Sequence, residues 1–240
     1  MMFDMSGHVV IITGALENLG TAVAHRFKSA GARMVLVDRA TDDHLPKAYP
    51  ELANSPDHFL ASGVDVTDVT SLAQLAKQVA ERFGRIDGLV NTIGGFRGGK
   101  PVHQEDLETW EFLFKVNLMS TLNSCRAVIP HLLANGKGTI VNTASLSART
   151  GTAGFGAYSA SKSAVLRLTE SLASELKDHG VTVNAILPGT LDTPQNRKAM
   201  PDQDVSKWVE PDAVADVILF LSSAAARSVT GAAIPITGKA

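Results

Sequence analysis

The sequence predicts an α/β fold: a single doubly wound domain over residues 1–240, with a parallel sheet of about seven strands and helices on both faces. Three observations predict it. Short β-branched, apolar runs alternate with longer helical stretches along the chain. Most of the short runs are apolar at nearly every position, the pattern of strands covered on both faces. The size and composition, 240 residues with 45% hydrophobic and 19% charged, suit one α/β domain with a substantial core.

The elements follow in order. A strand is expected over Val9–Thr13, then a glycine-containing turn and a helix over Leu19–Ala30. Strands are expected over Arg33–Val37 and Phe59–Val64, a helix over Val69–Phe83 and a strand over Gly88–Asn91. One long helix is expected over Leu107–Leu133, then a strand over Gly138–Thr143 and a second long helix over Gly156–His179. Both long helices carry apolar residues on more than one face. The chain closes with strand Thr182–Leu187, helix Pro211–Ser222 and strand Ala233–Ile236. Strand–helix–strand repeats of this kind wind with right-handed crossovers. The only loop-rich stretch, Thr190 to Val209 with Pro194 and Pro201, is expected to be a long irregular loop serving as a lid.

Composition narrows the function classes. The formal net charge is −2 and the basic residues are scattered, so nothing drives the chain toward nucleic acid or an anionic membrane. Cys125 is the only cysteine, which excludes an intrachain disulfide and argues against a cysteine-based metal site. The histidines show no paired ligand spacing, and His8, His25, His58 and His131 read as structural, so no metal is expected. With neither a signal peptide nor a membrane span in view, a cytoplasmic protein is expected.

Two constellations carry chemistry. At the exit of the first strand stands Thr13-Gly14-Ala15-Leu16-Glu17-Asn18-Leu19-Gly20, followed by a helix. Glycines there let the backbone turn tightly against a pyrophosphate, and the helix start offers free amides. Asp38, at the end of the second strand, can accept hydrogen bonds from both hydroxyls of an adenosine ribose and would repel a 2′-phosphate. Glu17 acts in the same sense, whereas Arg39 can pair with such a phosphate. The balance favours NAD(H), with NADP(H) possible. The second constellation is Tyr158 and Lys162, four apart on a helix, with Ser145 upstream. That spacing puts both side chains on one face. A cation beside the phenol is expected to lower its pKa toward the range useful for acid/base work.

Together these motifs resemble the short-chain dehydrogenase/reductase family over nearly the whole chain. Thr13-Gly14 with Gly20 is similar to the family's phosphate turn. Asp65-Val66 resembles its adenine-contacting pair, and Asn91-Thr92-Ile93-Gly94 stands where the family has Asn-Asn-Ala-Gly. Asn117, Ser145, Tyr158 and Lys162 match the catalytic tetrad. Pro188-Gly189, Leu191 and Thr193 resemble the segment that binds the nicotinamide carboxamide. Asn18 replaces a glycine, and its tolerance of positive φ is expected to preserve the turn. The bulkier Ile93 is expected to crowd the adenosine side. The tail Ile236-Thr237-Gly238-Lys239 departs from the family's usual ending. Gly94-Gly95-Phe96-Arg97-Gly98-Gly99 and the segment from Pro188 to Trp208 are also similar to loops of dihydropteridine reductases.

The resemblance implies a Rossmann fold and direct hydride transfer between a nicotinamide and a carbonyl or alcohol carbon. It makes Tyr158 the general acid/base and Ser145 the hydroxyl that holds the substrate oxygen. Lys162 would tune Tyr158 and hold the nicotinamide ribose, and Asn117 would anchor a water joining Lys162 to solvent. Phe96, Phe155 and Trp208 are expected around a flat, small-molecule substrate. A homo-oligomer, tetramer or dimer, is implied. The alternatives are a pterin-reducing enzyme and a nucleotide-binding protein without turnover.

Overall fold

The computed structural model describes residues 3–41 and 43–238. Seven strands form one all-parallel sheet: β1 (Val9–Thr13), β2 (Arg33–Val37), β3 (Phe59–Ala61), β4 (Gly88–Asn91), β5 (Gly138–Thr143), β6 (Val181–Pro188) and β7 (Ala233–Ile236). Their order across the sheet is β3-β2-β1-β4-β5-β6-β7. The order reverses direction between β1 and β4, and such a switch point opens a crevice at the carboxyl ends of the strands.

Side-chain alternation divides the core. Val10, Ile12, Met34, Leu36, Val90, Val141 and Ile186 face α1 (Asn18–Ser29) on one side of the sheet. On the other side Val9, Ile11, Val35, Leu89, Ile140 and Val183 form a second core with the helix Val69–Phe83. A short helix, α2 (His44–Ala48), lies between β2 and β3, and α3 is that second-core helix, Val69–Phe83. Asp68 caps α3 by accepting from Thr70 N at 3.0 Å and Ser71 N at 3.3 Å, and Gly84 ends it at φ 75°.

Three expectations change. The strand expected over Phe59–Val64 stops at Ala61, because Gly63 turns with φ 72° and the Gly63 and Val64 amides bond Ala40 O and Asp38 O. The helix expected over Leu107–Leu133 is three pieces: α4 (Leu107–Leu113), a π-helical segment Phe114–Met119, and α5 (Ser120–Asn135). Serine and threonine hydroxyls take carbonyls of the π segment: Ser120 Oγ donates to Val116 O at 2.6 Å and Thr121 Oγ1 to Asn117 O at 2.9 Å. Periodicity alone could not reveal the extra residue in that turn. The second long helix is α6 (Gly156–Leu176), closed by a single 3₁₀ turn Lys177–His179.

The stretch 190–209 is not irregular. It holds α7 (Pro194–Ala199), capped by Thr193 Oγ1, and a 3₁₀ turn Val205–Lys207 capped by Asp204. Its two ends are stitched by a parallel bridge between Leu191 and Val209, after which α8 (Pro211–Ser222) packs against α1. Gly238 rests on the Lys207 and Trp208 carbonyls, while Lys239 of the expected tail lies outside the described residues.

Candidate active site

The turn after β1 is shaped by what its glycines lack. Gly14 has φ 69°, and a Cβ on it would lie 2.8 Å from Ile93 Cγ1. A Cβ on Gly20 would overlap the Gly14 carbonyl oxygen. Only glycine at both positions lets α1 start this close to the strand exit. Asn18 is the first residue of α1, so its tolerance of positive φ is not what preserves the turn. Its side-chain amide instead reaches Gln195 Oε1 of α7 at 2.9 Å. Leu19 is buried, and the exposed Glu17 precedes the helix in an extended conformation. Tyr49 braces the turn from below, donating its hydroxyl to Ala15 O. Sequence patterning gave no sign of Tyr49 or Gln195, because both partners lie far along the chain.

Around the turn the other cofactor candidates converge. Asp38 is buried at the end of β2, and its two oxygens accept from Leu16 N at 3.1 Å and Ala40 N at 3.0 Å. Arg39 is exposed beside it. Asp65 accepts from the Thr67 amide, which is the main reason its carboxyl lies below the usual range, and the nearby Lys115 and Arg39 charges add to this. Val66 is buried in the core. Asn91, at the end of β4, donates to Asn142 Oδ1 at 2.9 Å, and Thr92 Oγ1 donates to Thr13 O. Ile93 packs over Gly14 and against the core. Pro188 ends β6, Gly189 N bonds Ile236 O at 2.9 Å, and Leu191 and Thr193 set the entry to α7.

The second constellation meets at the carboxyl end of β5. Ser145 follows that strand in an extended conformation and heads a 3₁₀ turn, Leu146–Ala148. Ser163 Oγ of α6 holds this turn by donating to Ala148 O at 2.8 Å. Tyr158 and Lys162 stand on the first turns of α6. The Lys162 ammonium is buried and donates to Thr143 O at 2.9 Å, so its direct partner is backbone and not the phenol. Burial pulls its pKa down to about 8. Burial also holds the Tyr158 phenol above its ordinary value, opposed by a hydrogen bond from the side chain of Ser145. The expected lowering of the phenol by its cationic neighbour is not what this arrangement shows: burial raises the phenol, and Ser145, not the ammonium, opposes it.

Asn117 is fully buried in the π segment. Its Oδ1 accepts from Gly95 N at 2.8 Å, and its Nδ2 donates to Gly95 O at 3.1 Å and to Ser161 Oγ at 2.9 Å. Its side chain thus holds the 94–99 loop in place. A Cβ on Gly94 would lie 2.9 Å from Lys162 Nζ and 3.2 Å from Asn117 Oδ1, so this backbone runs directly over the lysine. Gly95 lies equally close to Val116 and Phe112, and Gly98 to Phe155 and Gly154 O. Phe96, 59% exposed, meets the Tyr158 ring edge-on at 5.0 Å and the Phe155 ring at 5.3 Å. Arg97 turns to the opposite side, its guanidinium 3.7 Å from the Phe112 ring centre. Trp208 is half-buried at the far end of the 190–209 segment, with its carbonyl facing Gly238.

The sequence model of the family described as short chain dehydrogenase matches residues 8–204. This protein is a short-chain dehydrogenase/reductase. The chain is 32% identical over 244 residues to a 3-oxoacyl-[acyl-carrier-protein] reductase of Thermotoga maritima, covering 98% of each chain. It is 34% identical over 242 residues to a 2,5-dichloro-2,5-cyclohexadiene-1,4-diol dehydrogenase of Sphingobium indicum, covering 98% of this chain and 96% of that one. Its fold superimposes with a TM-score of 0.86 on carveol dehydrogenase from Mycobacterium avium in complex with NAD, at 28% identity, covering 98% of this chain and 97% of that one. The dehydrogenase/reductase is an oxidoreductase that uses a nicotinamide cofactor, and the glycine-bound cradle at Gly14 and Gly20 fits the pyrophosphate of such a group. Among the described residues no helix is long and apolar enough to cross a membrane, and no group of three or more His, Cys, Asp or Glu side chains is placed to hold a metal.

Proposed function

We propose that this enzyme interconverts a carbonyl and a secondary alcohol on a compact substrate with an apolar, ring-shaped body, that Tyr158 is the general acid/base, and that NAD(H) is preferred to NADP(H). One observation carries the reading: Tyr158 shares its end of α6 with the buried Ser145, whose hydroxyl draws the phenol pKa down against burial, while the Tyr158 ring is edged by the exposed Phe96. Polar groups for one substrate oxygen and an apolar wall for its body meet at the same residue.

The bound nicotinamide supplies or accepts the hydride. Ser145 would hold the substrate oxygen as charge develops on it. Tyr158 would donate its proton to that oxygen in the reducing direction. Lys162 would keep positive charge near the phenol and hold the nicotinamide ribose. Asn117 would act through Gly95, fixing the loop that covers Lys162. The pyrophosphate would rest on Gly14, Glu17, Asn18, Leu19 and Gly20, and the adenosine beside Asp38, Asp65, Val66 and Ile93. Asn91, Gly94, Pro188, Gly189, Leu191 and Thr193 would line the nicotinamide end, with 190–209 as the lid over both ligands.

Preference for NAD(H) rests on Asp38. Each of its oxygens already accepts one amide and keeps capacity for a ribose hydroxyl, while its charge opposes a 2′-phosphate. Arg39 pulls the other way. The relative named for a cyclohexadienediol supports a ring-bearing substrate. The pterin alternative drew on the glycines of 94–99, but close packing against Lys162, Phe112 and Phe155 accounts for Gly94, Gly95 and Gly98 without a pterin. A homo-oligomer, tetramer or dimer, is part of the proposal: Leu107 of α4, Met119 of the π segment and Leu133 of α5 expose large apolar side chains. A cytoplasmic setting goes with it, supported by the lone, buried Cys125.

The test compares NADH oxidation with cyclohexanone, an acyl thioester and quinonoid dihydropterin, in wild type and in Tyr158→Phe. Turnover with the ring ketone is expected, falling by about 10²–10⁴-fold in Tyr158→Phe with NADH binding retained. Turnover unaffected by Tyr158→Phe would remove the acid/base assignment, and turnover with the dihydropterin alone would remove the substrate class.

A further inference from the structure

We infer that Ser161 is a positioning residue: it locks the 94–99 loop to the start of the catalytic helix, so that the apolar wall at Phe96 and the Tyr158–Lys162 pair keep one fixed geometry. The inference rests on the functional reading above. Ser161 has no exposed surface. Its hydroxyl donates to Tyr158 O at 2.8 Å and accepts from Asn117 Nδ2 at 2.9 Å. Asn117 in turn grips Gly95 through both its N–H and its C=O. The path from α6 to the loop is thus four hydrogen bonds through two buried side chains, crossing three separate segments of chain.

The loop's alternation makes the grip consequential. Gly94 faces Lys162 and Asn117, Gly95 faces Val116 and Phe112, Phe96 faces Tyr158 and Phe155, and Arg97 faces Phe112. Sliding Gly95 would move Gly94 off Lys162 and swing Phe96 away from Tyr158 together. Both amide protons of Asn117 are committed, one to Gly95 O and one to Ser161 Oγ. Removing the Ser161 hydroxyl leaves one of them buried and unpaired, and Asn117 recovers a partner only by turning away from Gly95.

The experiment pairs Ser161→Ala with Asn117→Ala and the double variant. Alanine is a strong helix former, so Ser161→Ala keeps α6 intact. In Ser161→Ala the expected result is an increase of about tenfold in amide exchange at Gly95, read by hydrogen exchange without substrate. With NADH and cyclohexanone, KM for the ketone is expected to rise and kcat to fall, with KM for NADH unchanged. Because Ser161 acts through Asn117, the double variant is expected to be no worse than Asn117→Ala alone. Unchanged exchange at Gly95, or strictly additive losses in the double variant, would overturn the inference. A lower melting temperature with kinetic constants and Gly95 exchange unchanged would also overturn it, because that is a structural role only. If no ketone turns over, the exchange measurement still decides the inference, while the functional reading falls by itself.

Discussion

The turn proposed to hold the cofactor and the cluster proposed to be catalytic lie side by side above the same sheet, yet they are built by opposite means. The turn from Thr13 to Gly20 is defined by missing side chains: its geometry exists because nothing projects from Gly14 or Gly20. The cluster is defined by side chains that are present and fully engaged: Asn117, Ser161 and Lys162 are all buried, and each ties together segments distant in sequence. The first kind of site is written locally. The second is written across the whole chain, and its parts acquire meaning only when the fold brings them together.

The largest effect that would break this comparison comes from adding one methyl group to each region. In Gly20→Ala the new Cβ meets backbone, the Gly14 carbonyl, which has nowhere to go. Overpacking of this kind costs about 1–3 kcal/mol and sometimes more, and NADH binding is expected to be lost at millimolar cofactor, read by fluorescence titration. In Gly94→Ala the new Cβ meets Lys162 Nζ at 2.9 Å, the far end of a flexible side chain. The fold is expected to survive and NADH to bind still, though more weakly, whereas turnover falls and its pH profile shifts as Lys162 leaves Thr143 O. Equal damage from the two substitutions would mean that the two regions do not differ in the way described.

The same contrast explains what could be read from sequence. The seven strands and the glycine turn between the first strand and its helix were legible because each depends on residue types at short spacing. Tyr158 and Lys162 were legible as a pair on one helical face, and the match with a known family's pattern gave them roles. What the amino-acid string could not convey was where their polar atoms would go. Lys162 binds the Thr143 carbonyl, and Asn117 spends its amide on Gly95 and Ser161. Ser161 stood in plain view between Tyr158 and Lys162, as an apparent spacer. The π segment around Asn117 was invisible for a related reason: one extra residue in a turn leaves the apolar pattern almost unchanged. The order within 190–209 was missed because Pro194, taken as a loop marker, starts α7 behind its Thr193 cap.

A medium effect is expected from the lysine itself. The buried Lys162 titrates near 8 in the folded chain, against 10.5 for the free side chain. Between these values the unfolded chain binds more protons than the folded one, so stability rises as pH rises. Below about pH 8 the buried charge weighs against the fold. Lys162→Met carries no such charge but strands the Thr143 carbonyl. It is expected to lose turnover by about 10²-fold or more. Its stability relative to wild type is expected to be most favourable below pH 8 and to decline steadily toward pH 10.5. Urea unfolding of both proteins across that range measures the difference. A flat difference would show that Lys162 is not desolvated in the folded protein.

The smallest effect tests a place where the cofactor side of the sheet borrows the other region's method. At the start of β2 the Met34 amide donates to a side chain, His58 Nδ1, at 3.1 Å. Nδ1 can accept only when it carries no proton, so the bond requires neutral imidazole. Burial lowers the His58 pKa, against the opposing pull of Asp57 and Glu51; Lys28 acts with burial, and Arg82 lies next to it, bonded to the His58 carbonyl. A depressed folded pKa contributes stability that is fully present above the unfolded value of 6.5 and is lost as pH falls from there through the lower folded value. His58→Leu removes the acceptor at every pH. It is therefore expected to be less stable than wild type at pH 7, with the gap closing toward pH 5, measured as the difference in urea midpoints. A gap that widens toward low pH would mean that protonated His58 finds a better partner, with Asp57 or Glu51, than Met34 offers the neutral ring. The sheet edge would then be held by charge and not by the strand-capping bond.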